Sequence, residues 1–117
     1  MTSSVILPLV GLVIGIAVGA VAPFSVPHSL AKYTAVAILA ALDTGLGGIR
    51  AGLENRFDLA AFISGFTFNT LLAAALTYLG DMLGIDLYIA AVVVFGVRLF
   101  DNLAVVRRLV VNRFWSQ

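Results

Sequence analysis

The sequence has no cysteine and a single histidine. The missing thiols exclude disulfides and cysteine nucleophiles, and the two scarcities together exclude Cys/His zinc sites. Charge is also scarce. Seven basic and six acidic residues make up 11% of 117 residues, for a net charge of +1. That balance implies no strongly charged partner, and no basic stripe with interleaved aromatics offers itself to nucleic acid. There is no phosphate-cradling glycine loop and no carboxylate cluster. His28, beside Pro27 in a loop, has no nearby nucleophile to activate. These absences describe a protein that is not an enzyme, with no catalytic residues, no metal site and no cofactor.

Apolar surface is what the chain has in excess. It is 62% hydrophobic, against about 45–50% in soluble domains. A chain this short cannot bury so much in a water-soluble core, so lipid is its expected solvent. A bilayer core takes about 20 apolar residues of helix, and four segments fit: 5–22, 33–53, 59–79 and 87–106. Short connections rich in Pro, Gly, Asp and Asn separate them, as turn chemistry requires. The first segment ends in "AVA", a pattern resembling a signal-peptide cleavage site. No Lys or Arg precedes it, it is long for a signal core, and Pro23 would impede cleavage. It reads as a retained helix.

The expected fold is therefore all-α: a single polytopic bundle of four transmembrane helices, with a short tail at 107–117. Four crossings put both termini and the middle loop on one side. That side carries Arg50, Arg56, Arg107, Arg108 and Arg113, whereas the other carries only Lys32. The positive-inside rule makes the arginine side cytoplasmic. The arginines of the tail, with Phe114 and Trp115, suit a helix end anchored at the lipid interface.

Charges inside the apolar segments need an explanation, because one at the bilayer centre costs about 2.5–3.5 kcal/mol even on insertion scales. Asp43 and Arg98 fall near the middle of segments two and four. Arg50 lies about 10 Å, and Asp101 about 4.5 Å, nearer the cytoplasm on the same helices. Segments two and four run in the same direction, so Asp43 matches Arg98 in depth and Arg50 approaches Asp101. Two arrangements are open. Both pairs could join the helices, or Arg98 could pair with Asp101 along its own helix while Asp43 faces a polar pocket. Asn69 and Asn102 lie close enough in depth to join this intramembrane polar layer, where amide hydrogen bonds hold helices together.

Small residues mark the packing faces. Gly11, Gly15 and Gly19 recur every four residues, which lets helix backbones approach closely. Packing within the chain is the expected use, and a homo-oligomer face is the other. Gly45, Gly47 and Gly48 crowd one turn of segment two. They read as a flat surface crossed by another helix rather than as a broken helix of the transporter kind.

The stretches "AILAALDTGLGGIRAGLENRFD", "FISGFTFNTLLA" and "GIDLYIAAVVVFGVRLFDNLAVVRR" together resemble the small basic protein family of bacteria, over nearly the whole chain. The resemblance implies a short integral protein of the bacterial inner membrane whose biochemical function is unknown. It sets Asp43, Gly47, Gly48, Arg50, Arg98 and Asn102 within family motifs, with no catalytic or binding roles to carry over. The family's frequent gene neighbourhood implies an envelope or cell-division setting. Fluoride channels and small multidrug transporters share the size and helix number. The firm charge bias speaks against the dual topology of the first, and the uncharged first helix against the second. The expected function is assembly or interaction, with membrane lipid, a second copy or another membrane protein as partner. The alternative is a small channel or transporter using the Asp43, Asn69 and Arg98 layer.

Overall fold

The computed structural model of the chain describes residues 2–22 and 25–115. Pro23 and Phe24 of the first loop, and Ser116 and Gln117 of the tail, lie outside the described residues. Among those described, the chain is all-helical, with no strand. Four α-helices follow in order: α1 (Thr2–Val21), α2 (Ala31–Leu53), α3 (Leu59–Leu83) and α4 (Tyr88–Trp115). A single 3-10 turn, His28–Leu30, leads into α2. Three helices are long and apolar enough to cross a membrane: α2 with its leading turn, α3 and α4. The apolar part of α1, Val5–Val21, is shorter.

Two helices outrun the apolar segments. The α3 helix continues through residues 80–83, which the loop pattern assigns to a turn. The α4 helix runs to Trp115, through the segment read as a tail. No Gly or Pro interrupts residues 97–115, so nothing in the backbone stops the helix where the apolar run ends. At 28 residues it is about 42 Å long.

The turns are built from local hydrogen bonds. At the end of α2, Arg56 N–H donates to the Ala51 carbonyl at 2.8 Å and Asn55 N–H to Gly52 at 3.2 Å. Asn55 takes a positive φ of 60°. This is a Schellman ending with Asn in the left-handed position. The α3 helix closes the same way. Gly84 has φ 69°, and Ile85 N–H donates to the Gly80 carbonyl at 3.0 Å. The start of α3 is capped by Asp58, whose Oδ1 accepts from Ala60 N–H at 3.1 Å. Phe57 and Phe62, five residues apart on either side of that cap, pack with tilted rings whose centroids are 5.4 Å apart, a hydrophobic staple. Asp58→Ala should lower stability by about 1 kcal/mol, measurable as a lower unfolding midpoint in detergent. Asp58→Asn should be close to neutral.

The central helix is α2. Each of the others packs on it, and among the described residues α1 brings its backbone close to that of α2 and of neither α3 nor α4. Its buried residues are mostly small: Ala40, Gly45, Gly48, Ala51 and Gly52, with Val36, Ile49 and Asp43. A helix enclosed on several sides needs such residues to admit its neighbours. The closest core joins Val36 and Ala40 of α2, Ala73 of α3, and Ala91 and Phe95 of α4. It occupies the half of the bundle nearer the α3–α4 turn. At that end Lys32 pairs with Asp81, and its ammonium lies 5.5 Å from the Tyr88 ring centroid. The outward faces carry large apolar side chains, among them Phe68, Leu72, Val97 and Phe100.

The glycine stripe of α1 departs from the expected packing within the chain. Gly11, Gly15 and Gly19 have no neighbour within 4 Å of where a side chain would stand. The physical reason is that α1 seats on α2 through Pro8 and Leu12, and from Val13 to Val21 every residue is exposed. Gly45, Gly47 and Gly48 lie in unbroken helix, and side chains of the three other helices approach them. A β-carbon would meet Leu12 of α1 at 3.1 Å on Gly45 and Asn102 of α4 at 3.3 Å on Gly47. On Gly48 it would meet Phe62 of α3 at 2.5 Å and Pro8 of α1 at 3.0 Å.

Candidate functional site: a polar seam between α2 and α4

The seam starts at Asp43, whose side chain is fully buried in the middle of α2. Its Oδ2 lies 3.3 Å from Nη2 of Arg98. Its Oδ1 accepts a hydrogen bond from Nδ2 of Asn102 at 3.3 Å. Both partners come from α4, where a spacing of four residues puts them on one face. Asn102 then accepts from Nη1 of Arg50 at 3.2 Å through its own Oδ1. Arg50 Nε stands 3.5 Å from Glu54 Oε1, and Arg56 Nη2 reaches the same oxygen at 2.7 Å. Polar groups thus follow one another from Arg98 through Asp43, Asn102, Arg50 and Glu54 to Arg56, from mid-helix to the α2–α3 loop.

The structure brings Asp43 to Arg98 but does not bring Arg50 to Asp101. Nor do Arg98 and Asp101 pair along α4. The cause is azimuth. Arg98 and Asn102 share the face turned to α2, and Gly47 has no side chain to keep Asn102 away. Asp101, one residue earlier, is turned about 100° from Asn102. It is exposed and has no ion pair or side-chain hydrogen bond among the described residues. Asn69 is half-buried on α3 and also makes no side-chain hydrogen bond among the described residues. Glu54, absent from the polar layer read in the sequence, is the partner of two arginines. Its spacing of four from Arg50 was the visible signal.

Where α3 and α4 diverge, toward the α2–α3 loop, they leave a cavity of about 450 Å³. Asp43, Arg50, Asn69, Arg98, Asp101 and Asn102 all line it, with Arg56 and Asp58 at the loop end. Thr70 carries a buried hydroxyl with no hydrogen-bond partner among the described residues. Beyond Asn69 and Arg98 the space narrows to a cleft of about 160 Å³ walled by Leu72, Leu76, Val94 and Phe95. Among the described residues no group of three or more His, Cys, Asp or Glu side chains could hold a metal ion.

A family described as "Protein of unknown function (DUF1290)" matches residues 26–111. The chain belongs to this family. The match runs from the first loop through α4, so it contains the whole seam. Among the family's relatives, the "Small basic protein" of Bacillus subtilis (strain 168) is 49% identical over 108 residues, covering 92% of this chain and 89% of the relative. Uncharacterized proteins of Mycobacterium bovis and Mycobacterium tuberculosis are each 43% identical over 102 residues, covering 86% of this chain and 84% of theirs. No solved structure matches.

Proposed function

We propose that this family member is a four-span protein of the bacterial cytoplasmic membrane, with both termini inside, that works by assembly and not by transport. The arginine bias between the two ends supports the orientation, and the apolar outward faces support insertion. The observation that carries the assembly reading is where the polar path stops. The seam runs from the α2–α3 loop to Asp43 and Arg98, and beyond them come the core of Val36, Ala40, Ala73, Ala91 and Phe95 and a narrow cleft walled by apolar side chains. A buried carboxylate approached by an arginine and an amide of one neighbouring helix is a clamp. It fixes α2 against α4 and leaves the outer surfaces to present to a partner. The envelope or division machinery is the setting that the family resemblance implies.

Reconstitution and native-membrane crosslinking test this. The purified protein in liposomes should pass ions and protons no faster than empty liposomes. Crosslinking followed by mass spectrometry in native membranes should capture a defined protein neighbour. Flux that Asp43→Asn abolishes, with the fold intact, would reverse the reading in favour of a channel or transporter.

A further inference from the structure

Among the described residues, Asp101 is the one carboxylate lining the cavity that neither pairs with a neighbouring cation nor caps a helix. In a membrane-spanning α4 it lies one turn from Arg98, well inside the lipid, where ionised side chains face a partner or water. Arg98 is itself incompletely used. Its guanidinium meets Asp43, yet its side chain remains 49% exposed. Val94, Arg98, Asp101 and Arg108 recur at intervals of three, four and seven residues along one side of α4, and all four are exposed, the first three where that side opens onto the groove beside α3. That spacing is a helix-packing seam with a cation and an anion side by side at its centre.

A surface carrying both signs within one turn is self-complementary. On the assembly reading above, we infer that this side of α4 is the interface for a second copy of the chain, with Arg98 of each copy set against Asp101 of the other. The arginine bias gives all copies one orientation, so equal residues meet at equal depth. A two-fold contact of this kind is isologous, so the Arg98–Asp101 contact occurs twice, once on each side of the axis. Arg98 then reaches about 4.5 Å toward the cytoplasm to the opposing carboxylate, the direction in which arginine side chains extend toward the interface. Each Arg98 ends between Asp43 of its own copy and Asp101 of the other. The α1 glycine stripe is the competing surface for self-association, but it carries no charge to select a partner.

The chain has no cysteine, so single-cysteine variants of the full-length protein report contacts without background. Val94→Cys and Val97→Cys on α4 should form disulfide-linked dimers in native membranes at least fivefold more readily than Ile16→Cys on α1. Adding Asp101→Lys should lower the Val94→Cys yield at least fivefold, whereas Asp101→Glu should keep it. Equal membrane levels and helix content of these two variants separate contact loss from misfolding. Equal yields from α1 and α4, or an Asp101→Lys dimer as abundant as the parent, would overturn the inference. Val94→Cys captured only by a different membrane protein would also overturn it, while leaving the assembly reading standing. No capture from any position, together with liposome flux, would remove both.

Discussion

Removing Arg98 should cost this protein more stability than any other single truncation along the seam. Arg98→Gln leaves the Asp43 carboxylate, with its side chain fully buried, supported by the Asn102 amide alone. Breaking a buried ion pair from one side costs about 3–5 kcal/mol, because the abandoned charge cannot reach water. The reverse substitution, Asp43→Asn, should cost less, on the order of 1–2 kcal/mol. It abandons a guanidinium that is half-exposed toward the cavity, and the new amide can still meet Asn102. The double variant should then be more stable than the two single losses predict by at least about 1 kcal/mol, as expected of residues in direct contact. Unfolding of the four proteins in mixed micelles measures this cycle. Simple additivity would mean that the 3.3 Å approach contributes nothing to holding α2 against α4.

The four helices and their turns were legible because a predominantly apolar run of about 20 residues, bounded by turn residues, has the length and composition of a spanning helix even where it carries a few charges. The depth match of Asp43 and Arg98 was legible too, since it depends only on the rise per residue and on counting crossings. Azimuth was not. Whether Asp101 or Asn102 faces Arg50 depends on a rotation of α4 that depth arithmetic does not contain. Gly47 suits the observed rotation, since a β-carbon there would stand a tight 3.3 Å from the Asn102 amide nitrogen. The α1 stripe misled for a related reason. Spacing of four identifies a smooth face but not which helix approaches it, and Pro8 and Leu12 take the contact with α2 instead. The helical continuation of α4 to Trp115 escaped because hydropathy marks where lipid ends, not where a helix does.

Those glycines give the second large effect. A methyl group on Gly48 would stand 2.5 and 2.9 Å from two carbons of the Phe62 ring and 3.0 Å from Cβ of Pro8. Neither neighbour yields easily. Phe62 is held by its tilted packing against the Phe57 ring at the α3 cap, and Pro8 is part of a rigid ring within α1. Gly48→Ala should therefore cost about 1–3 kcal/mol through overpacking, despite alanine's helix preference of about 1 kcal/mol. Gly48→Leu should abolish stable accumulation in the membrane. At Gly45 the obstacle is the far end of Leu12 at 3.1 Å, which can turn aside, so Gly45→Ala should be near neutral. At Gly15 nothing stands within 4 Å, and Gly15→Ala should stabilise the isolated chain by up to about 1 kcal/mol. Thermal stability of the three alanine variants in one detergent makes the comparison. Phe62→Leu in the Gly48→Ala background should recover part of the loss, because it removes the ring that the methyl strikes. If Gly48→Ala matched the parent while Gly15→Ala lost stability, α1 would have to meet its neighbours along the 11–15–19 face, and the packing of α1 on α2 described above would be wrong.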